Sequence, residues 1–329
     1  MVALVIMAVV LQGSRGWVDA GLVQPQLAAP SPEFLRHEAS AQSGDGAGDL
    51  GLVPSPVDWS YLDGEHVQSL GGDAPLPASY DLRTEGRMTG VRNQGTSGAC
   101  WTFATYGSLE SNMMPAETLD FSENNLKNAS DFDYGLNGGG NGDMSTAYLA
   151  RWSGPIAEVD DPYNPNSTTS PSGLSPVRHV QNVMMLPERP GSLDTADIKR
   201  ALIDYGALVG SMCWVEDTAY YRVSTAAYCY TGSAASNHDV TIAGWDDTFP
   251  ASNFSTPPRG NWAWIVKNSW GTAWGKSGYF FISYYDAVLF KKNPAYCFQA
   301  AEPTTNYTHI YQYDPLGHTR SLGYGTDTV

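Results

Sequence analysis

Basic residues are scarce in this chain of 329 residues, which carries 34 acidic against 18 basic side chains and a formal net charge of -16. A surface of that sign repels phosphate backbones and anionic lipid headgroups, so we expect neither nucleic-acid binding nor electrostatic docking on membranes. Apolar residues are not scarce: they make up 42% of the chain. A core of that size excludes an intrinsically disordered protein.

Cysteine and histidine are also few, and their spacing does not suit a metal site. The four cysteines form no CxxC pair, and the six histidines form no HExxH motif. These absences exclude a zinc ribbon, a thioredoxin-type site and an HExxH metalloprotease, and we expect no metal and no cofactor. In an exported chain Cys213 and Cys229 are one candidate disulfide, but Cys297 leaves the pairing open.

Long apolar runs are absent after the N-terminus. The run over residues 2–11 is too short for a bilayer, which needs about 20 residues, but it has the length of a signal-peptide core. Small residues at Val18 and Ala20 suit a signal peptidase, although no Lys or Arg precedes the run. We therefore predict a signal peptide over residues 1–20, an extracellular or cell-surface location, and no membrane insertion of the mature chain.

Composition divides the rest of the chain into three parts. Residues 21–75 are rich in Pro, Gly and Ser and are predicted to be an irregular leader or short prosegment, residues 76–300 read as globular, and residues 301–329 form an aromatic, turn-rich tail. Periodicity predicts helices over residues 100–113, 145–152 and 194–205, and strands over 207–214, 238–245, 262–267 and 278–285. Helices followed by strands indicate an α+β domain with two packed halves.

One cysteine stands in a setting that favours chemistry. Cys100 follows a glycine-rich turn and opens a predicted helix, where unpaired N–H groups and the helix dipole stabilise a thiolate. Gln94 is close enough along the loop to hydrogen-bond, together with the Cys100 main chain, an oxyanion formed beside the sulfur. A lone free cysteine is more often a buried small hydrophobe, and the flanking Gln, Gly and Trp shift the balance.

Two later stretches supply the partners that a nucleophilic thiol needs. His238 begins a predicted strand and is a candidate base for Cys100. Asn268 ends another strand, and its amide is a candidate to fix the tautomer and direction of the imidazole, with Trp270 shielding that bond from water. Taken singly, a histidine at a strand start and an asparagine in a turn are both usually structural.

The three stretches together, in residue type, order and approximate spacing, resemble the papain family of cysteine peptidases. The likeness covers residues 76–298 and includes 76–94, 137–139 and 268–280. It implies a two-lobed fold with a helical N-terminal lobe, an antiparallel β-barrel-like C-terminal lobe and an active-site cleft between them. It also implies protein or peptide substrates. The residues that the resemblance implies to be catalytic are Cys100, His238, Asn268 and Gln94. Those that it implies to bind substrate are Gly138, Gly139, Trp270 and Asn237.

Residues 121–126, residues 147–155 and the tail further resemble a bacterial branch of the family that carries a lectin-like β module after the peptidase. That likeness implies glycan contact through such a module. The alternative for the tail is a strand that packs on the peptidase domain.

The chain departs from the family pattern at several positions. Ser97 and Leu136 stand where the family usually has a disulfide beside the nucleophile. Asp239 follows the histidine where a small residue is usual; on a strand it should face away from the imidazole. Gly140 and Asn141 replace the usual aromatic and proline, which leaves the apolar specificity pocket open to question.

Two other functions remain compatible with the sequence. One is a catalytically silent binding or adhesion protein that has kept the fold, since fold does not imply function. The other is the same acyl chemistry on a different amide, as in a cell-wall amidase or transpeptidase. The complete set of Cys, His, Asn and Gln favours peptide-bond hydrolysis over both.

Overall fold

The computed structural model describes residues 29–43, 50–62, 65, 70, 74–132 and 138–309. The predicted signal peptide, residues 133–137 and the tail beyond residue 309 lie outside the described residues. Within the described ranges, no helix combines the length and the apolar character needed to cross a bilayer.

The leader contains a helix, α1, over Pro32–Ser43, so the prediction of an irregular leader was wrong there. Ser31 accepts a hydrogen bond from the main-chain N–H of Phe34 at 3.2 Å, which caps the first turn. Phe34 is only 3% exposed and anchors the helix on the body of the protein. The Pro-, Ser- and Gly-rich composition around this segment obscured a short helix that begins at a proline.

Four helices follow in the described part of the chain: α2 (Cys100–Met113), α3 (Glu123–Ala129), α4 (Gly142–Ala150) and α5 (Ala196–Tyr205). Helix α2 is buried along almost its whole length and packs against the sheet. Gly107 lies in its middle because a Cβ there would overlap the Thr241 side chain. The helix gives up some intrinsic stability at this glycine in exchange for close contact with the sheet.

In chain order, the described strands are β1 (Ser79–Asp81), β2 (His179–Leu186), β3 (Leu208–Met212), β4 (Tyr221–Arg222), β5 (Ala227–Tyr228), β6 (His238–Asp246), β7 (Ala263–Lys267), β8 (Tyr279–Ser283) and β9 (Ala295–Glu302). They form one sheet in the order β2-β9-β3-β6-β7-β8-β5-β4, with β1 added to β6. All pairs are antiparallel except β5 with β8.

The α+β class is confirmed, and the sheet is open rather than a closed barrel, because β2 and β4 end the strand order among the described residues. Strands β2 and β9 were not predicted. They pair with each other over most of their length and extend the sheet towards the helices. Their mixed polar and apolar burial gives a weak periodic signal.

Two apolar cores correspond to two lobes. One core lies among the helices and includes Trp101, Leu109 and Tyr148. The larger core lies on the sheet and includes Trp245, Trp264 and Phe280. The helix that begins at Cys100 and the strand that begins at His238 therefore come from different lobes and meet between them.

Candidate active site

The sulfur of Cys100 lies beside the start of β6. Cys100 is the first residue of α2 and is fully buried. The main-chain N–H of Asp239 donates to Cys100 Sγ at 3.4 Å. The dipole at the start of the helix and this donor together favour negative charge on the sulfur.

Strand register brings the histidine and the asparagine together. The last pair of the β6–β7 ladder at this end is Thr241 with Lys267, so His238 and Asn268 lie just beyond it at the same end of the two strands. Nε2 of His238 lies 2.9 Å from Oδ1 of Asn268, and both side chains are buried. The predicted pairing of these two residues is thus present in the geometry.

The same contacts fix which nitrogen of the imidazole carries a proton. The main-chain N–H of Ser269 donates to Asn268 Oδ1 at 2.8 Å, which identifies that atom as the oxygen of the amide. His238 Nε2 must then donate to this oxygen, so in the neutral ring Nδ1 is the basic nitrogen. Nδ1 is buried and has no hydrogen-bond partner among the described residues.

Aromatic rings exclude water from this pair. The indole of Trp270 stacks on the His238 ring at 4.8 Å and 25°. Trp214 and Trp274 each meet Trp270 edge-on at 5.0 Å, so the cover is itself held in place.

Burial has a clear consequence for the charge on the histidine. Desolvation lowers the pKa of His238 to about 4, although the hydrogen bond to Asn268 acts in the opposite direction. An imidazolium in this site therefore needs an anion beside it, and the thiolate of Cys100 is the candidate.

Gln94 is oriented by contacts at both ends of its amide. The hydroxyl of Ser269 donates to Gln94 Oε1 at 2.6 Å, so Nε2 faces the other way. Nε2 donates to the carbonyl of Ser97 at 2.9 Å and to the carbonyl of Leu50 at 3.3 Å. The carbonyl oxygen of Leu50, a residue of the leader, thus already accepts from the predicted oxyanion donor.

Residues 50–53 of the leader lie across the site, which sequence reasoning missed. Val53 N–H donates to the Gly140 carbonyl at 2.9 Å, and Gly140 N–H donates to the Gly51 carbonyl at 3.1 Å. The two segments pair in parallel, as shown by the bridge between Leu52 and Gly140. The Asn141 amide also donates to the Val53 carbonyl at 3.0 Å.

The structure places the main-chain pairing on Gly140, one residue after Gly139. Gly138 and Gly139 lie immediately before this contact, and Gly139 has φ +79 and packs under Gly51. Spacing within a run of three glycines does not identify the paired residue, because each one can lie flat against an extended chain.

The side chain of Asn237 is engaged away from the predicted substrate path. Its Oδ1 accepts from the Trp214 N–H at 2.7 Å and its Nδ2 donates to the Trp214 carbonyl at 3.0 Å. This two-point contact fixes the turn before His238. Its role in the geometry is therefore to position the histidine.

Two residues that support the loop before Cys100 were also missed. Ser269 orients Gln94, as described above, and the hydroxyl of Tyr163 donates to the Gln94 carbonyl at 2.8 Å. The Tyr163 ring also meets Phe103 of α2 edge-on at 4.8 Å. Tyr163 lies in an irregular segment, so periodicity gave no signal for it.

All four cysteines are buried and none forms a disulfide, so the candidate pairing of Cys213 with Cys229 is not formed in this structure. Burial raises the pKa of Cys229 and of Cys297 to about 12, and that of Cys213 upward as well. These three thiols are therefore much poorer nucleophiles than a thiol that opens a helix.

Comparisons with known proteins agree with this geometry. The model of the papain family cysteine protease matches residues 76–297. A viral cathepsin of Choristoneura fumiferana defective polyhedrosis virus is 33% identical over 215 residues, which is 62% of this chain and 58% of the relative. Pro-cathepsin H of Mus musculus is 31% identical over 220 residues, 65% of this chain and 62% of the relative. The chain thus spans about three fifths of the length of these relatives.

A solved structure shows the same fold. The cysteine protease and lectin-like domains of Cwp84, a surface layer associated protein of Clostridium difficile, superpose with a TM-score of 0.72 at 27% identity, covering 87% of this chain and 63% of that one. The two-lobed arrangement expected from the sequence is confirmed. With a family model that matches most of its length, the chain belongs to the papain family of cysteine proteases.

Proposed function

We propose that this chain is an exported cysteine-type peptidase that hydrolyses peptide bonds through Cys100, His238 and Asn268. The observation that carries the proposal is the contact of His238 Nε2 with Asn268 Oδ1, which leaves the basic Nδ1 for the thiol. The Asp239 N–H on Cys100 Sγ supports a thiolate on that side of the cleft.

The reaction follows from these positions. The thiolate of Cys100 attacks the carbonyl carbon of the substrate, and the Gln94 amide and the Cys100 N–H stabilise the oxyanion. The C–N bond breaks as the His238 imidazolium gives its proton to the leaving amine, and a thioester remains on Cys100. Water, deprotonated by His238, attacks the thioester and releases the acid, which restores the thiol and the neutral imidazole.

The leader segment 50–53 acts in this proposal as a prosegment. It satisfies the main-chain groups of Gly140 and the amide of Gln94, which a substrate would otherwise use. Substrate and leader therefore compete for one cleft, and the chain becomes active when the leader is removed.

We further propose that the chain is exported and contacts glycans. The apolar N-terminal run has the form of a signal peptide, and Cwp84, the structural relative, is a surface layer associated protein. Cwp84 also has a lectin-like domain, and we propose that the tail from residue 301 begins a similar module.

Labelling with an epoxysuccinyl peptide after removal of the leader tests the peptidase proposal. The chain should be labelled on one cysteine and should digest casein but not peptidoglycan. Cys100→Ala should abolish both labelling and digestion, whereas Cys213→Ala, a matched control at a buried thiol elsewhere, should retain them. Casein digestion that survives Cys100→Ala would disprove the assignment, and digestion of peptidoglycan alone would indicate an amidase.

A further inference from the structure

The residue whose main chain contacts the sulfur has a buried acidic side chain. Asp239 is 2% exposed, and its main-chain N–H donates to Cys100 Sγ at 3.4 Å. The proposed hydrolysis makes no use of its carboxyl group. Burying a carboxyl group costs free energy unless the group is neutral or paired. The position of Asp239 therefore requires an explanation.

The carboxyl group lies on the opposite face of β6 from the imidazole. Asp239 pairs with Ser211 of β3, and the Ser211 hydroxyl donates to Asp239 Oδ1 at 2.6 Å. His238, one residue earlier, stacks on Trp270. The same short segment of main chain thus carries the base on one face and a carboxyl group on the other.

Among the described residues, Asp239 forms no ion pair. It borders a small cavity, about 10 Å³ in volume, between α2, β6 and β7, and the other charged groups on that cavity are Arg92, Glu110, Glu123 and Lys267. The Lys267 ammonium donates to the Thr89 hydroxyl, which in turn donates to Glu110. Glu110 also accepts from the Phe121 N–H.

Lys267, Thr89 and Glu110 therefore satisfy one another, whereas Glu123 Oε2 is buried without a hydrogen-bond partner among the described residues. Arg92 pairs with Asp120, outside the cavity. Glu123, from α3, is buried, and desolvation raises its pKa. Among the described residues of the strands and helices packed around it, one hydroxyl group donates a hydrogen bond to the Asp239 carboxyl group, and no cation forms an ion pair with it.

We propose that Asp239 is a positioning residue for the nucleophile: while its carboxyl is neutral, its N–H stabilises the Cys100 thiolate, and once ionised the carboxylate opposes that thiolate. Burial raises the pKa of Asp239 to about 7, although the Ser211 hydroxyl lowers it in part. An ionised carboxylate at this position therefore raises the pKa of the Cys100 thiol, whereas a neutral carboxyl group does not. The inference uses the peptidase proposal only for the importance of the thiolate.

The thiolate can be followed directly in the full chain, without turnover, by its ultraviolet absorbance as pH is raised, with Cys100→Ala subtracted. A buried like charge shifts a neighbouring pKa by about one unit or more, so the Cys100 thiol of Asp239→Asn should ionise about one pH unit lower than that of the natural chain.

Two further variants separate this effect from a structural one. Ser211→Ala removes the bond that lowers the pKa of Asp239, so the carboxyl group stays neutral to higher pH and the Cys100 thiol should ionise at lower pH than in the natural chain. Glu110→Gln is the matched control, since burial also raises the pKa of Glu110 to about 7 but its carboxyl is held by Thr89 and Phe121. It should leave the thiolate titration unchanged.

Superimposable titrations of the natural chain, Asp239→Asn and Ser211→Ala would overturn the proposal, as would a shift produced by Glu110→Gln instead. Peptide hydrolysis by the processed chain, measured in parallel, separates the two proposals. If no form hydrolyses peptides, the peptidase proposal fails while the titration still decides the role of Asp239.

Discussion

The two walls of the cleft hold their functional groups by different means. The sheet wall, defined as the start of β6 and the end of β7 with Trp270, places His238 and Asn268 by strand register and aromatic packing. The helical wall, defined as residues 94–99 with the start of α2, places Gln94 on a loop and Cys100 at the start of the helix that follows it. That loop is held by side-chain hydrogen bonds and by the leader that lies on it.

The difference predicts where the site is fragile. On the sheet wall, many ladder hydrogen bonds and ring contacts together hold His238, so no single contact determines its position. On the helical wall, where Ser97 replaces the cysteine of the usual disulfide, individual hydrogen bonds decide the direction of the Gln94 amide. Substitutions on the helical wall should therefore change catalysis with little change in stability.

The largest expected effect comes from Gln94 itself. Gln94→Ala removes an amide donor from the oxyanion site, and loss of one such donor lowers kcat by about 10²–10³-fold. KM should change little, because the donor acts on charge that develops during the reaction. Steady-state kinetics of the processed enzyme would measure this.

Gln181→Ala, at an exposed glutamine, is the control and should leave kcat unchanged. A loss of less than about twofold in Gln94→Ala would mean that another group supplies the oxyanion donor.

The next prediction concerns the leader. Gly51 has φ +105, and a Cβ there would overlap the main chain of Gly98 on the helical wall. Gly51→Val should lift the leader from the cleft, because strain of this kind costs on the order of 1–3 kcal/mol. The unprocessed chain should then react with an epoxysuccinyl peptide about tenfold faster or more.

Gly173→Val is a matched control, since Gly173 also has a positive φ, +76, but faces open space. Equal labelling rates for Gly51→Val and the natural unprocessed chain would show that the leader does not block the site.

The sequence predicted the sheet wall better than the helical wall, for a physical reason. Apolar strands such as β6 and β7 have a strong pattern, and pairing them brings His238 and Asn268 together without further information. The contacts of the helical wall come from irregular segments distant in sequence. Leu50 and Tyr163 reach Gln94 from 44 and 69 positions away, and neither lies in a periodic segment.

Asp239 illustrates a different limit. Its place on a strand predicted that it would face away from His238, and its contact with Ser211 on β3 agrees with that. That its N–H would reach Cys100 could not be predicted, because the approach of α2 to β6 depends on the fit of Gly107 against Thr241.

The smallest effect expected concerns the support behind the Gln94 loop. Tyr163→Phe keeps the edge-on contact with Phe103 and removes only the hydroxyl that donates to the Gln94 carbonyl. One hydrogen bond of this kind is worth about 1 kcal/mol, so kcat/KM should fall about fivefold if the bond serves to hold the loop. The fall should lie in kcat. It should vanish in a Gln94→Ala background, because Tyr163 can no longer affect the position of an amide donor that has been removed. Tyr307→Phe, at a half-exposed tyrosine on the far edge of the sheet, should change neither constant. An equal fall in both backgrounds would mean that Tyr163 acts on the stability of the lobe, and the two walls would then be equally rigid.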